Sequence, residues 1–279
     1  MHPTTYRLLT GFYGFYLNFL ALFSKKMAAK KAFDVFSKVR KGRVLPDQES
    51  YLNDGKDQVH SIGKHRVQSY RWKGSKNRVL LLHGWESNSF RWQKLIEKLR
   101  AADFDVITFD APGHGHSSGT QLHLPLYEEV LDHLVKIYAP NHLIGHSMGG
   151  FAILYHHYLR KDTNSEKIVT IGSPSEYHEV MSHYQQLLRF NDTVLNALDT
   201  NIKTKFGIGI RDFSSVKFVD ANDKRGLLLH DKFDNITKHE ASERVHAHWK
   251  GSTLISTEGL GHSMHQDSVN EQIIDFLNS

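Results

Sequence analysis

The chain has 279 residues, of which 39% are hydrophobic and 23% charged, a composition typical of a globular protein that buries a sizeable core. It contains no cysteine, which excludes disulfides, thiolate nucleophiles and zinc sites built from cysteine. The net charge is +5, but residues 1–43 hold nine Lys or Arg and one acidic residue, so the remaining chain is slightly acidic. We therefore expect no nucleic-acid partner.

The first 45 residues are predicted to form a basic helical arm. An apolar run at residues 8–23 is followed by Ala29, Ala32, Phe33 and further apolar residues at helical spacing, which indicates two helices. The apolar run is short for a membrane span. Most of the positively charged residues of the arm follow the run, whereas in a signal peptide they precede it. Four alternatives stay open for this arm. It packs on the body of the protein, it packs on a second subunit in a homo-oligomer, it spans a membrane, or it contacts a membrane peripherally through residues 8–43. The expected location is the cytoplasm, with membrane association through the arm as an alternative.

From about residue 50, apolar strand-like runs alternate with helical patterns. Two strands are predicted around Gly63 and Lys64. Further runs lie at residues 79–84, 104–110, 142–146, 167–173, 226–231 and 252–257. Continuous apolar strands that alternate with helices predict an α/β fold, with a mostly parallel sheet of about eight strands and helices on both faces.

One segment interrupts this alternation. Residues 174–223 contain no clear strand run and are polar and compatible with helix. We predict a small helical cap that covers the functional site, inserted between two core parts at residues 46–173 and 224–279. Apolar residues within the insertion would then contact an acyl chain.

The sequence Gly145-His146-Ser147-Met148-Gly149 has the pattern G-x-S-x-G and lies where a predicted strand ends and a helix begins. Such a turn needs small neighbours, because the strand and the helix approach closely. It presents the serine at the carboxyl edge of the sheet, where ligands bind in open α/β folds. Ser147 is therefore the predicted nucleophile.

A serine nucleophile needs a base and an acid that orients it. His262 follows the last predicted strand and is the favoured base, with His265 and then His230 as alternatives. Asp234 lies just beyond the preceding strand and is the favoured acid. Asp231, at the strand end, and Glu176, after an earlier strand, remain alternative acids.

The developing negative charge needs two backbone N–H donors. We predict Met148, directly after the nucleophile, and Trp85, directly after His83-Gly84. The alternative for Trp85 is simple packing.

These motifs together resemble the α/β-hydrolase superfamily from about residue 50 to the end. Five segments of this chain are similar to the sequence landmarks of that family and occur in the same order: LLLHGW, DAPGHGHS, GHSMGG, HDKFDN and GLGHSMH. The order of Ser147, Asp234 and His262 also matches that family. Two features depart from it: Asp231 stands where the family more often has glycine, and the arm lies outside the common core. His114 and His116 are interpreted as structural residues of a turn rather than metal ligands.

The resemblance implies a serine hydrolase of small carboxylic esters, similar to carboxylesterases and lipases, which acts through an acyl-enzyme without a cofactor or metal. Three alternatives stay open. The first is a thioesterase or acyltransferase with the same triad, the second a carbon–carbon bond hydrolase, and the third a non-catalytic binding protein.

Overall fold

The computed structural model describes residues 3–160 and 164–279 and, within them, one eight-stranded β-sheet. The strands are β1 Lys56–Ile62, β2 His65–Trp72, β3 Arg78–Leu82, β4 Asp105–Phe109, β5 His142–His146, β6 Lys167–Ile171, β7 Arg225–Asp231 and β8 Ser252–Thr257. Their spatial order is β1-β2-β4-β3-β5-β6-β7-β8. β2 pairs antiparallel with β1 and β4, and all other pairs are parallel. The predicted fold class is confirmed.

The burial of the strands explains why they read as continuous apolar runs. Every residue of β4, β5 and β6 is buried, as expected for parallel strands that helices cover on both faces. The edge strands differ: β1 has mostly exposed residues and β8 has none that is fully buried. The sheet therefore has its core at its centre, where β5 carries the G-x-S-x-G turn.

The described residues form eleven α-helices. They are α1 Pro3–Phe23, α2 Lys25–Ser37, α3 Pro46–Asp54, α4 Gln93–Ala101, α5 Leu124–Tyr138, α6 Met148–Leu159, α7 Tyr177–Leu188, α8 Asp192–Phe206, α9 Ser215–Val219, α10 Glu240–His248 and α11 Asp267–Asn278. A short 3-10 helix spans Ser89–Trp92. Among the described helices, none combines the length and hydropathy that crossing a membrane requires.

The chain divides into two compact units, and the four segments expected from the sequence stay a prediction. The sheet unit comprises Val39–Ser175 and Ser215–Ser279 and contains every described strand and helices α3 to α6 and α9 to α11. The helical unit comprises residues 3–38 and Glu176–Ser214, with α1, α2, α7 and α8. The first two residues of the predicted arm lie outside the described residues.

The helical unit joins the two α-helices of the arm to the insertion. The Phe33 ring of α2 lies 5.9 Å from that of Phe206 in α8, measured between centroids. The Tyr184 hydroxyl of α7 donates a hydrogen bond of 3.0 Å to the Ala32 carbonyl. The arm therefore packs on the insertion, a contact between segments about 140 residues apart. That the insertion covers the functional site stays a prediction.

Candidate active site

Ser147 lies on the turn between β5 and α6 with a backbone conformation that is rare for a residue with a side chain. Its φ is +52° and its ψ −119°. Its N–H donates a hydrogen bond of 2.8 Å to the Ile171 carbonyl at the end of β6. A residue other than glycine in such a conformation costs about 1–3 kcal/mol and is found mainly at functional sites.

Two glycines beside Ser147 allow the turn to be this tight. A Cβ atom at Gly145 would lie 2.4 Å from the Gly150 nitrogen, and one at Gly149 would lie 2.4 Å from the Leu82 carbonyl oxygen. Both distances are below the closest approach of real Cβ atoms. The glycines at the first and last positions of G-x-S-x-G thus let α6 approach β3 and β5.

His262 and Asp234 meet at the same edge of the sheet. His262 follows β8 in a loop before α11, and Asp234 follows β7 in a loop before α10. The His262 Nδ1 atom lies 2.7 Å from Asp234 Oδ2. An ionised carboxylate only accepts hydrogen bonds, so neutral His262 carries its proton on Nδ1 and its lone pair on Nε2. That tautomer is the one required of a base.

The Asp234 side chain is buried and held in its ionised form. Burial alone would raise its pKa, but hydrogen bonds outweigh burial and hold the pKa of Asp234 well below its usual range. His230 and His262 contribute side-chain bonds, and the backbone N–H groups of Ile236 and Thr237 donate to Oδ1 at 2.8 and 3.0 Å.

Thr237 also contacts both members of this pair. Its hydroxyl oxygen lies 2.9 Å from Asp234 Oδ2, 3.2 Å from His262 Nδ1 and 2.8 Å from the Gly172 carbonyl oxygen. A Cβ atom at Gly172 would lie 3.4 Å from both Asp234 and His262. Gly172 directly follows Ile171, the hydrogen-bond partner of Ser147, so the end of β6 links the Asp234–His262 pair to the serine turn.

The alternative acids lie elsewhere. Asp231 is fully buried and accepts hydrogen bonds from the N–H groups of Phe233 and Leu260, at 2.9 and 2.8 Å. It therefore fixes the chain that leads to His262. Glu176 belongs to the helical unit and accepts a hydrogen bond of 2.8 Å from the Ser214 hydroxyl.

The alternative bases also differ from His262 in their surroundings. His230 is fully buried, with Nε2 2.9 Å from the Thr237 carbonyl oxygen and 3.4 Å from Asp234 Oδ2. It lies near Asp234 Oδ2, the oxygen that His262 also contacts. His265 is exposed, three residues further along the loop.

The loop after β3 passes directly beside Ser147. A Cβ atom at Gly84 would lie 3.1 Å from the Ser147 Cβ atom. The Ala111 N–H donates to His83 Nε2, so His83 Nδ1 carries the proton and donates to the Gly84 carbonyl at 2.7 Å. In a trans peptide the N–H opposes the carbonyl, and the N–H of Trp85 therefore points away from His83.

The other predicted donor, Met148, is the first residue of α6. Its N–H belongs to the helix terminus, where the backbone carries partial positive charge. Gly84, directly before Trp85, thus lies beside Ser147, and Met148 follows Ser147 in the sequence. The indole of Trp85 packs edge-on against the His114 ring, with centroids 5.9 Å apart.

His146, next to Ser147, links the serine turn to the loop of His262. Arg91 donates from Nη1 to His146 Nδ1 at 2.7 Å, so the His146 proton lies on Nε2 and is donated to the His262 carbonyl at 2.8 Å. Burial, with the charge of Arg91, holds the pKa of His146 well below its usual value. Arg91 Nη2 donates to the Ser263 carbonyl at 3.0 Å. Two consecutive carbonyls of the histidine loop are therefore held by one arginine–histidine pair.

For the ester hydrolysis predicted from the sequence, we expect Arg91→Met to lower kcat about 10- to 100-fold with little change in KM, because displacement of a base by about 1 Å has effects of that size. Exposed Arg100 on α4 offers the matched control, Arg100→Met. Steady-state kinetics on both variants measure the split between kcat and KM. An unchanged kcat in Arg91→Met would show that the pair does not position His262.

One described cluster combines residue types that bind metals. Glu128, Asp132 and His156 come together between α5 and α6. Arg160 Nε lies 3.3 Å from Glu128 and 3.4 Å from Asp132, and Lys136 pairs with Asp132 at 2.6 Å. The carboxylates are thus already matched by two cations.

The histidines of the turn after β4 have partners within the protein. His114 is fully buried, and its Nδ1 lies 3.1 Å from the Pro112 carbonyl oxygen. His116 lies between the Tyr70 hydroxyl, at 2.9 Å, and Glu49, at 3.0 Å. Both hold the turn in place.

Three residues beside the pair of Asp234 and His262 were not predicted from the sequence. Thr237 had a usable signal, because an aspartate three residues earlier favours a turn closed by backbone N–H groups. Arg91 and His146 had none, since they are 55 positions apart and meet only in the folded chain.

Two protein-family models match this chain. A family model described as serine aminopeptidase, S33, matches residues 73–226, and one described as TAP-like protein matches residues 211–279. The chain is 35% identical over 101 residues to a pimeloyl-[acyl-carrier protein] methyl ester esterase of Vibrio vulnificus, which covers 36% of this chain and 38% of that protein. It is 26% identical over 133 residues to an esterase of Mycobacterium tuberculosis, covering 46% and 44%. The matches thus span less than half the length of these relatives.

Solved structures show the same fold at low identity. An esterase from Exiguobacterium antarcticum has a TM-score of 0.63 at 17% identity and covers 79% of this chain and 98% of its own. A monoacylglycerol lipase from Paleococcus ferrophilus has a TM-score of 0.59 at 19% identity, with coverages of 76% and 98%.

Proposed function

We propose, from the premise that this chain belongs to the α/β-hydrolase superfamily, that it is a serine hydrolase of carboxylic esters. The observation that carries the proposal is the hydrogen bond of 2.7 Å between His262 and Asp234, at the sheet edge where Ser147 occupies its unusual turn. Relatives named as esterases support a carboxylic ester as the substrate.

In the proposed acylation, His262 Nε2 accepts the proton of the Ser147 hydroxyl as its oxygen attacks the ester carbonyl carbon. Asp234 holds the His262 tautomer and stabilises the imidazolium that forms. The carbonyl oxygen becomes an oxyanion that accepts hydrogen bonds from the N–H groups of Met148 and Trp85. A single donor of this kind contributes about 10²- to 10³-fold to the rate.

The tetrahedral intermediate then collapses. The carbon–oxygen bond to the alcohol breaks, and His262 protonates the leaving alkoxide, which leaves an acyl ester on Ser147. In deacylation, water loses a proton to His262 and attacks the acyl carbon. The second intermediate releases the carboxylic acid, and Ser147 regains its proton.

A fluorophosphonate probe tests the proposal directly, because it reacts with an activated serine and leaves a stable adduct. We expect the full chain to be labelled at Ser147, as mapped by peptide mass spectrometry, and not in His262→Ala. A folded protein that is labelled elsewhere, or equally with and without His262, would contradict the mechanism.

A substrate panel then separates the chemistries that one triad supports. We expect p-nitrophenyl esters to be cleaved with a higher kcat/KM than acyl thioesters, aminoacyl p-nitroanilides or carbon–carbon substrates. A preference for thioesters would replace the proposal with a thioesterase. A preference for the anilides would point to a peptidase, the activity for which the matching family model is named. Labelling of Ser147 in a protein that cleaves no ester would also contradict the proposed ester hydrolysis.

A further inference from the structure

Helix α1 presents a continuous apolar face to solvent. Phe15, Leu22 and Phe23 are 69%, 79% and 75% exposed. The complete outer face of α1, as we define it, comprises Phe12, Phe15, Tyr16, Phe19, Leu22 and Phe23. Their spacing of three and four residues places all of them on one side of the helix. Consecutive rings along this side contact one another, with centroids 6.4 Å apart for Phe15 and Phe19 and 5.1 Å apart for Phe19 and Phe23.

The opposite side of α1 is already fixed within the helical unit. Leu17 is fully buried, and a Cβ atom at Gly14 would overlap the Leu188 carbonyl at the end of α7. Asn18 accepts a hydrogen bond of 2.8 Å from the Asn191 N–H and donates one of 3.3 Å to the Arg189 carbonyl. These bonds set the rotation of α1 about its axis, so its outer face cannot turn inward without breaking them.

The next helix adds positive charge. Four exposed lysines of α2 follow the outer face in the chain: Lys25, Lys26, Lys30 and Lys31. Met27, between them, is also exposed, whereas Ala28, Ala29, Ala32 and Phe33 are buried within the unit. An apolar aromatic face next to a group of lysines is the composition of helices that lie in the interface of anionic membranes.

We propose that the outer face of α1, with the lysines of α2, docks on an anionic lipid surface, the helix lying in the plane of the interface. Phe15, Phe19 and their neighbours enter the boundary between headgroups and acyl chains, and the lysines contact the headgroups. A second copy of the chain fits less well, because residues 1–33, which would form a symmetric interface on this face, contain no acidic residue to pair with the lysines. This inference does not depend on the ester chemistry proposed above.

Vesicle flotation with the full chain tests the proposal, using phosphatidylcholine vesicles with and without about one-third phosphatidylserine. We expect binding to the anionic vesicles to exceed binding to the neutral ones by at least about tenfold, and to weaken as salt is raised, since each basic residue near such a surface strengthens binding. Equal binding to both vesicles, or binding to neither, overturns the proposal.

Two variants and a matched control locate the contact. Phe15→Ser with Phe19→Ser should lower partitioning into anionic vesicles at least about tenfold, because less apolar area then enters the interface. Ile137→Ser, at an apolar residue of α5 that is 46% exposed, should leave it unchanged. Lys30→Gln with Lys31→Gln should lower partitioning without affecting the fold. Circular dichroism shows whether each variant folds.

The same variants distinguish lipid from a second copy. Light scattering on the wild type in the absence of lipid should give the molecular mass of a monomer. The variant with Phe15→Ser and Phe19→Ser should have the same mass. A dimer that the phenylalanine substitutions dissociate, in a protein that does not float with vesicles, overturns the proposal in favour of self-association.

Discussion

Replacing Ser147 with alanine is expected to lower kcat for ester hydrolysis by about 10⁶-fold, the loss that follows removal of a triad nucleophile. Fluorophosphonate labelling should disappear with it. Stopped and continuous assays on p-nitrophenyl esters measure the residual rate, and thermal unfolding followed by circular dichroism shows that the variant folds. Turnover within about tenfold of the wild type would eliminate Ser147 as the nucleophile, since no other group in the proposed mechanism forms the acyl bond.

The conformation of Ser147 supplies a matched substitution. At a φ of +52°, alanine is strained as serine is, whereas glycine is not. Ser147→Gly should therefore be as inactive as Ser147→Ala but more stable than it, by about 1 kcal/mol in the free energy of unfolding. Equal stability of the two variants would mean that the turn stores no backbone strain.

Asp234→Asn is expected to lower kcat/KM by about 10⁴-fold, the effect of presenting the wrong histidine tautomer. The N–H groups of Ile236 and Thr237 donate to Oδ1, so the asparagine must place its oxygen there. Its NH2 group then faces His262 Nδ1 and forces the proton of His262 onto Nε2, which can no longer accept the proton of Ser147. Steady-state kinetics and proton NMR of the histidine ring measure the two effects.

Asp231→Asn is the control for this result. One of the backbone donors to Asp231, at Phe233 or Leu260, would lose its acceptor, which costs about 1–3 kcal/mol of stability. The variant should therefore melt at a lower temperature but keep kcat/KM within about tenfold of the wild type, because the tautomer of His262 is unchanged. If Asp231→Asn lowered kcat/KM more than Asp234→Asn, the acid role would belong to Asp231.

Much of this arrangement follows from local patterns in the sequence. The central strands β4, β5 and β6 were predicted because residues buried on both faces give continuous apolar runs. The turn at Ser147 was predicted from the small residues at positions 145 and 149, which only a close approach of strand and helix requires. Asp234 and His262 were selected because the carboxyl ends of parallel strands lie at one edge of the sheet.

What the sequence did not predict depends on contacts between distant segments. Neither the role of Arg91 nor that of His146 follows from periodicity, because a guanidinium and an imidazole meet across 55 residues. The same is true of the arm. Its apolar spacing indicated helices but not which surface they cover, and α2 packs on α8 across more than 160 positions of the chain.

The helical unit is built from two segments that the ribosome makes at different times. Helix α1 ends at Phe23, and α7, on which it packs, begins at Tyr177. At a translation rate of about 5–20 residues per second, α7 is synthesised roughly 8–30 s after α1. Both of its sides are apolar throughout that interval. Nascent chains therefore offer α1 to chaperones, or to a nearby lipid surface, before α7 and α8 exist, and the order of translation decides which contact forms first.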